Sequence, residues 1–354
     1  MSRVAAELAA AVLAAGVALT ACSGQPADQD AGSAASPGGG GQSGAAPSSP
    51  EPDSRAAPSI RRFDVPAGAG PHDVAPAADG GVWFTAQHAG YLGHLDPDSG
   101  KVTRVPLGSG SHPHGVITGP DDAAWVTDGG LNAIVRVDGD SRKVRRFPLP
   151  ADRAGANLNT ATFDRAGTLW FTGQSGIYGR LDTGSAKLEV YDAPRGAGPY
   201  GITTTPDGQV YYASLAGSHI ARIATDTGEA GVLEPPTDGQ GARRVWSDSK
   251  GSIWVSEYNS GKLGRFDPST REWKEWDLPG GAPQPYAVFV DQADMVWVSD
   301  FGSDRLLRFD PGTETFTPAR GAAPAVRQIH GRAGEVWGAA SGADELLLIE
   351  TGAG

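Results

Sequence analysis

Cysteine is almost absent from this sequence of 354 residues, because Cys22 is the only one. No disulfide can form within the chain, so a folded domain must be stabilised by its core. Basic residues are also outnumbered: 29 lysines and arginines stand against 41 aspartates and glutamates, for a net charge of −12. Such an acidic chain is a poor partner for nucleic acid or anionic lipid headgroups. Walker loops, zinc-ligand spacings and Gly-x-Ser-x-Gly elbows are missing as well.

The first 58 residues differ in composition from the rest. Residues 1–21 carry one arginine before an Ala/Val/Leu run that is short for a membrane span, which predicts a lipoprotein signal peptide. The run ends at Ala21 before Cys22 and resembles the bacterial lipobox, so we expect Cys22 to be lipidated. Residues 22–58 contain no Leu, Ile, Val, Phe, Tyr or Trp and are rich in Gly, Ser, Pro and Ala. They predict a disordered linker and an extracytoplasmic lipoprotein that contacts the membrane only through its lipid.

From about residue 59 the chain consists of repeats. A tryptophan recurs every ~40 to 45 residues, which is the period of a four-stranded propeller blade. Seven positions mark the repeats, with a tyrosine in the fourth: Trp83, Trp125, Trp170, Tyr211, Trp254, Trp297 and Trp337. Each copy has short β-type runs separated by turn signals such as Asp79-Gly80, Asp207-Gly208 and Asp294, where a tight turn needs positive φ or an Asx turn. Seven markers therefore predict seven blades.

The two ends of the repeat array predict how the ring closes. The last copy stops after Leu346-Leu347-Leu348-Ile349, one strand short, whereas Arg61-Arg62-Phe63-Asp64 resembles the outer strand that precedes the other copies. The predicted fold class is therefore all-β: a seven-bladed β-propeller of four-stranded blades at 59–350, closed by an N-terminal strand that completes the last blade, with a tail at 351–354. Closure removes the exposed sheet edges.

Two sets of positions are expected to line one mouth of the central channel. The first set lies at the start of each innermost strand: His72, His114, Asn159, Tyr200, Arg243, Tyr286 and Arg327. The second lies three residues after each marker and includes Asp128, Glu257 and Asp300, because the start of one antiparallel strand lies beside the end of the next. His88, His112 and Asp73 add polar groups near the first two blades. Clustered histidines indicate acid/base chemistry or a metal, although a water-filled mouth must be polar in any case.

The sequence of the repeats resembles that of the virginiamycin B lyase (streptogramin lyase) family. The resemblance rests on Pro113-His114-Gly115-Val116, Pro199-Tyr200-Gly201-Ile202, Trp254-Val255-Ser256-Glu257 and Lys262-Leu263-Gly264-Arg265. It implies a seven-bladed propeller that linearises a cyclic depsipeptide by Mg²⁺-dependent elimination at the ester C–O bond. The histidine pair of such enzymes comes from the sixth and seventh repeats, where this chain has Tyr286 and Arg327.

A ring of similar blades has no privileged start, so the family's arrangement can be rebuilt two blades further round. His72 and His114 then match the catalytic pair, with His114 as the expected base or acid and His72 positioning the ester. Asp128 and either His112 or Asp73 are the expected ligands of Mg²⁺ or another divalent metal. The remaining strand-start residues, with His88, Glu257 and Asp300, are expected to bind substrate.

Two other functions stay open. The propeller could be a non-catalytic scaffold that binds a peptide, glycan or partner protein at the cell surface, since propellers host both kinds of function. A gluconolactonase-like hydrolase is the third option, with Glu257 and Asp300 as part of an acidic metal ring. In each case we expect a monomer with its ligand at the channel mouth.

Overall fold

The structure is a computed structural model that describes residues 57–352. The predicted signal peptide, Cys22 and nearly all of the predicted linker lie outside the described residues, so these domain boundaries stay predictions. Within 57–352 the chain forms 28 β-strands and one short 3-10 helix, Ala151–Arg153. The described residues therefore include no helical segment that could span a lipid bilayer.

The strands pair into seven antiparallel sheets of four, as the repeat pattern predicted. Within each of the first six blades, chain order runs from the innermost strand outward. Blades one to three are β2 Pro71–Pro76, β3 Val82–Ala86, β4 Tyr91–Asp96, β5 Lys101–Pro106; β6 Pro113–Thr118, β7 Ala124–Asp128, β8 Ala133–Val137, β9 Val144–Pro148; and β10 Leu158–Phe163, β11 Thr168–Gly173, β12 Ile177–Asp182, β13 Lys187–Asp192. Blades four to six are β14 Pro199–Thr204, β15 Val210–Ser214, β16 His219–Ile223, β17 Ala230–Leu233; β18 Ala242–Ser247, β19 Ile253–Glu257, β20 Lys262–Asp267, β21 Glu272–Asp277; and β22 Pro285–Val290, β23 Val296–Asp300, β24 Arg305–Asp310, β25 Thr315–Pro318.

The seventh blade confirms the predicted closure. It contains β26 Val326–Arg332, β27 Glu335–Ala340, β28 Glu345–Glu350 and, as its outer strand, β1 Arg61–Asp64. Strand β1 pairs antiparallel with β28, with Phe63 opposite Leu346. The Phe63 ring lies 5.3 Å from that of Trp337, and both side chains are buried. The N-terminal strand thus joins the two ends of the array through backbone pairing and an aromatic contact.

The marker tryptophans hold neighbouring blades together. Trp83 of blade one packs in a cluster with Val116 and Val126 of blade two, and Trp254 of blade five packs with Val288 and Val296 of blade six. A buried indole N–H needs an acceptor. An aspartate from the preceding hairpin turn supplies one in four blades, at 2.8 to 3.0 Å: Asp121 to Trp125, Asp164 to Trp170, Asp248 to Trp254 and Asp291 to Trp297.

The turn chemistry read from the sequence is also present. Gly80 and Gly208 have φ values of 88° and 91°, and Asp294 has a φ of 57°. These positions lie in the left-handed region that favours glycine and tolerates aspartate.

We expect Phe63→Ala to lower the free energy of unfolding by about 3–5 kcal/mol, because it leaves a cavity against Trp337 where the ring closes. Urea denaturation followed by circular dichroism measures the change. Val144→Ala is the matched control, since Val144 lies on an outer strand and is exposed. Equal stability of the two variants would show that β1 does not contribute to closure.

Candidate functional site

Every innermost strand begins with a β-bulge, and this bulge builds the site. In blade one the register shifts between Pro71 and Val74, so His72 and Asp73 together face one partner residue, Thr85. The corresponding irregularity occurs in each of the other six blades. A bulge re-aims side chains and leaves backbone groups unpaired. Two successive residues per blade therefore reach the channel region.

A hydroxyl one residue before the end of the second strand satisfies the bulge. The Thr85 Oγ1 accepts a hydrogen bond from Asp73 N at 2.9 Å and donates one to the backbone oxygen of His114 in the next blade at 2.7 Å. Thr127, Thr172, Ser256 and Ser299 make the same pair of bonds in their blades. The hydroxyl thus fixes the distance between neighbouring inner strands.

The glycine of the Pro-[His/Tyr]-Gly motif permits that distance. A Cβ at Gly115 would lie 2.6 Å from the backbone oxygen of Asn159, and one at Gly201 would lie 2.7 Å from the Cα of Arg244. Real side chains do not approach so closely, so these positions require glycine for packing, independently of any chemistry.

The structure brings together the seven strand-start residues predicted to meet. The rings of His72 and His114 are 3.7 Å apart, and the His114 and Tyr200 rings are 5.7 Å apart. Asn159 contacts His114, while Arg243 and Tyr286 contact Tyr200. Arg327 reaches Tyr286 at 3.5 Å. We call this set the upper layer: His72, His114, Asn159, Tyr200, Arg243, Tyr286 and Arg327.

Asp73 lies directly beneath the upper layer and orients His72. Its Oδ1 is 2.8 Å from His72 Nδ1, and Arg244 donates to the same carboxylate at 2.6 and 3.2 Å. All three side chains are buried, with exposures of 2%, 1% and 4% for His72, Asp73 and Arg244. Because a carboxylate accepts, His72 Nδ1 carries the proton and Nε2 keeps its lone pair. His72 is thereby held in the tautomer of a general base.

His114 is oriented by an amide. The Nδ2 of Asn159 lies 3.1 Å from His114 Nε2, while the Oδ1 of Asn159 accepts from the Thr160 hydroxyl at 2.8 Å. The amide nitrogen must donate, so His114 carries its proton on Nδ1. That buried nitrogen has no hydrogen-bond partner within the described chain. The two histidines thus present opposite roles, one as a proton acceptor and one as a donor.

Both histidines are neutral near pH 7. Burial lowers the pKa of His72 well below its usual value, and the charge of Arg244 lowers it further. Burial and the neighbouring His72 likewise hold the pKa of His114 well below normal, although Asp73 opposes this shift. An uncharged imidazole at neutral pH is what a base requires.

The opposite side of the upper layer is cationic and aromatic. The guanidinium of Arg243 stacks 3.5 Å from the Tyr286 ring centre and donates to the Tyr200 hydroxyl at 3.1 Å. The Tyr200 and Tyr286 hydroxyls are 2.6 Å apart. Burial raises the pKa of Tyr200 to about 12. Burial also favours a high pKa for Tyr286, but the charges of Arg243, Arg327 and Arg244 outweigh it and lower the pKa.

The second predicted set does not face the upper layer, which corrects the sequence-based expectation. Asp128 pairs across the sheet with Pro113, Asp300 with Pro285 and Glu257 with Ala242, each one residue before the strand-start position. Successive side chains point to opposite faces of a strand, so these carboxylates point away. The bulge displaces the register by one residue, and an end-to-end comparison of strands does not detect it.

Two of these carboxylates, Asp128 and Asp300, accept hydrogen bonds from backbone amides of nearby turns. The third, Glu257, is buried within its own blade. Asp128 accepts from the Ser111 hydroxyl and from the amides of His112 and Leu131 at 2.5 to 2.9 Å. Asp300 accepts from the amides of Gln284 and Gly302 at 2.7 and 2.9 Å. Glu257 is fully buried beside Gly264. Burial, with the neighbouring Glu275, raises the pKa of Glu257 to about 8. The acidic metal ring of the hydrolase hypothesis is therefore not assembled.

Two further predicted residues remain outside the cluster. His88 and His112 are exposed, and the ring of His88 lies against Gly70, where a Cβ would approach its Nδ1 to 2.3 Å. Of the three predicted metal ligands, the structure places Asp73 beside the histidine pair, whereas Asp128 and His112 lie outside that group.

The described residues contain one group of three potential metal ligands, His72, Asp73 and His114, whose ligand atoms lie within 4.8 Å of one another. Two of its three donors are nitrogen, whereas Mg²⁺ prefers oxygen. The carboxylate is already bound by the guanidinium of Arg244 at 2.6 Å. These residues therefore do not fit Mg²⁺.

The residue after each strand-start position forms a second layer that the sequence-based site prediction largely missed. Its members are Asp73, Gly115, Thr160, Gly201, Arg244, Ala287 and Gln328. Arg244 crosses from blade five to Asp73 in blade one and also donates to the Thr160 hydroxyl at 2.9 Å. The small residues leave room for this contact. The sequence did contain a signal for this contact, because one acid, Asp73, and one arginine, Arg244, occur among the seven equivalent positions.

Fold and site together define a class, a closed seven-bladed propeller with acid/base groups and arginines where its inner strands start. Residues 54–309, more than half of the chain, match the model of the Virginiamycin B lyase family. The chain belongs to that family.

Individual relatives agree with this assignment. A segment of 51 residues is 47% identical to Virginiamycin B lyase from Streptomyces coelicolor and spans 14% of this chain and 17% of that relative. The solved streptogramin B lyase structure matches with a TM-score of 0.75 at 23% identity, over 82% of this chain and 97% of that one. Virginiamycin B lyase from Staphylococcus aureus matches with a TM-score of 0.76 at 20% identity, over 82% and 98%. At these identities the solved structures show the fold alone.

The lowered pKa of His72 predicts how stability depends on pH. Below pH ~6.5 the unfolded chain binds a proton at this position that the folded chain does not, so the free energy of unfolding falls as the pH falls. We expect His72→Gln to reduce this pH dependence between pH 7 and 5, measured by urea denaturation across that range.

His112→Gln is the matched control, because the side chain of His112 is exposed. It should leave the pH dependence unchanged. An unaltered slope in His72→Gln would show that His72 is not a source of the acid sensitivity.

Proposed function

We propose that the propeller is a carbon–oxygen lyase that opens the ester of a cyclic depsipeptide of the streptogramin B type. The observation that carries this proposal is the buried His72–Asp73 pair, in which Asp73 fixes the tautomer of a neutral imidazole. The family to which the chain belongs gives the reaction class. The sequence-based hypothesis gave His114 the role of base or acid and His72 a positioning role; the hydrogen bonds favour His72 as base and His114 as donor.

The reaction requires removal of a proton from a carbon next to a carbonyl. His72 Nε2 takes that proton, the C–H electron pair becomes the second bond of a C=C double bond, and the adjacent C–O bond breaks. The electrons of that bond leave with the ester oxygen as a carboxylate. Asp73 stabilises the imidazolium that forms, as in other carboxylate–histidine pairs. The ring opens, and the linear product has the mass of the substrate.

The cationic side of the upper layer suits the charge that develops. A carboxylate leaving group and an enolate-like transition state are both anionic, and preorganised donors in a water-poor site stabilise such charge. Arg243 and Arg327 lie around Tyr286 in the upper layer. His114 Nδ1 and the Tyr200 hydroxyl are further donors. Arg243 and Arg327 supply the positive charge that a metal ion gives in the family mechanism.

We expect His72→Gln to reduce kcat by about 10²- to 10⁴-fold, because it removes the base while keeping a polar side chain in the layer. The assay incubates the purified chain with a streptogramin B-type depsipeptide and follows the product by chromatography with mass spectrometry. Elimination shifts retention without changing the mass, whereas hydrolysis adds one water.

Two controls accompany this assay, a variant of an exposed histidine and removal of metal ions. His112→Gln should retain full turnover, since its side chain is exposed. Treatment with EDTA should also leave turnover intact if arginines replace the metal, whereas loss restored by Mg²⁺ would reinstate the predicted metal cofactor. Undiminished turnover in His72→Gln would refute the assignment of the base.

A non-catalytic receptor is the second candidate, and the aromatic and cationic contacts of Tyr286 with Arg243 favour it. Part of the solved extracellular domain of a B. thetaiotaomicron hybrid two component system has the same fold, with a TM-score of 0.68 at 15% identity over 84% of this chain and 43% of that one. Binding of the depsipeptide without turnover under any divalent metal would support this function over the lyase.

We also propose that the chain is an extracytoplasmic lipoprotein attached through Cys22. The support is the lipobox-like ending Leu19-Thr20-Ala21, followed by residues 22–58, which contain no Leu, Ile, Val, Phe, Tyr or Trp. Cys22→Ser should move the protein from the membrane fraction to the soluble fraction of the producing cell, measured by immunoblotting after ultracentrifugation. The wild type chain should remain with the membrane, and an unchanged distribution of the variant would contradict lipidation.

A further inference from the structure

The channel has a second chamber on the far side of the second layer. It is a cavity of 390 Å³. Its wall contains Asp73, Thr160, Arg244 and Gln328 of the second layer and residues further along the inner strands, but none of the upper layer. It therefore opens away from the histidine pair. The volume falls within the range of about 300–1,000 Å³ found for small-molecule sites.

The far wall is aromatic and half-buried. Trp246 and Phe163 line the cavity and are partly exposed within it. The Trp246 ring lies edge-on to His330 and to Phe289, with ring centres 4.9 Å apart in each case. These contacts hold the indole in place, so it presents a preorganised surface. A flat apolar or aromatic group is the natural neighbour of such a surface.

The cavity has no uncompensated charge among its lining residues. Asp73 and Arg244 neutralise each other at 2.6 Å. Burial lowers the pKa of His330 to about 4, so this ring is neutral near pH 7. An ion entering the cavity would lose hydration without gaining a counter-charge, which is unfavourable. The occupant should therefore be neutral.

Hydrogen-bonding groups are nonetheless available. The hydroxyls of Thr162 and Thr204 are 3.1 Å apart, so one donates to the other and one hydroxyl proton remains for a ligand. Gln328 uses its Oε1 to accept from Val74 N at 2.9 Å, which leaves its NH₂ group as a donor. Both sets line the cavity. A ligand with a carbonyl acceptor matches these donors.

We propose that this cavity, which we call the far-end chamber, is a second binding site for a neutral small molecule that combines an aromatic ring with an amide or ester carbonyl. The ring lies against Trp246 and Phe163, and the carbonyl accepts from the Thr162–Thr204 pair, with Gln328 as a second donor. Because Asp73 both lines the chamber and bonds His72, occupancy changes the surroundings of His72. The binding site stands independently of the lyase proposal.

The test uses the full chain and acetanilide, which carries one aromatic ring and one amide, in a titration followed by ligand-observed NMR. Benzoate is the charged control of similar size. We expect saturable binding of acetanilide, with benzoate at least tenfold weaker. Trp246→Leu and Thr204→Val should each weaken acetanilide binding by at least tenfold, and His112→Ala should leave it unchanged.

Thr204→Val keeps the shape of the side chain, so it tests the hydroxyl even if Trp246→Leu unfolds the protein. The far-end chamber would be refuted by no saturable binding, by equal affinity for benzoate, or by full affinity in Thr204→Val. Loss of binding in Tyr286→Phe alone would place the ligand in the upper layer instead and would also overturn the proposal.

The coupling between the far-end chamber and His72 through Asp73 can be measured separately. Saturation with acetanilide should shift the imidazole ¹⁵N signals of His72, assigned by comparison with His72→Gln, while the signals of exposed His112 stay in place. This measurement does not depend on turnover, so it separates failure of the far-end chamber from failure of the proposed lyase. An unperturbed His72 at saturation would contradict the link.

Discussion

The β-bulge at the start of each inner strand is the constraint on which the site depends. Without it, only alternate residues of a strand could face the channel. With it, His72 and Asp73 both do, and a histidine can be bonded to the carboxylate next to it in sequence. The Thr85 hydroxyl makes the bulge tolerable, because it bonds the displaced amide and the neighbouring blade together. The same atom therefore satisfies the backbone and sets the spacing between blades.

This dependence explains what could be predicted from the sequence. The number of blades, the closure by β1 and the convergence of the strand-start residues follow from the spacing of the tryptophans and from the ends of the array. A prediction from these features does not depend on the exact pairing of residues between neighbouring strands. Asp128, Glu257 and Asp300 could not be placed correctly, because one extra residue in the bulge reverses the face of the strand on which each lies. The sequence contains no direct mark of the bulge beyond the hydroxyl that precedes the strand end.

Side chains, rather than backbone, break the symmetry of the ring. Seven bulges present seven equivalent positions, yet neutral histidines occupy blades one and two, and tyrosine or arginine occupies blades four to six on the other side of the channel. A base is of use only opposite a group that stabilises the charge it creates. The separation of the two chemistries across the channel therefore defines an axis along which a ligand can be oriented. The rotated match to the lyase family is compatible with this, since any two neighbouring blades can supply the histidines.

The pair Asp73 and Arg244 links these observations. A buried ion pair seldom adds much stability, because desolvation offsets most of the attraction, although removal of one partner leaves a costly unpaired charge. Its presence here is better explained by position. The pair spans the channel from blade one to blade five, holds His72 on one side and lines the far-end chamber on the other. Two apolar residues of equal volume could fill the same space, but they could not fix the tautomer of His72. The ion pair therefore contributes to the orientation of His72 more than to the stability of the ring.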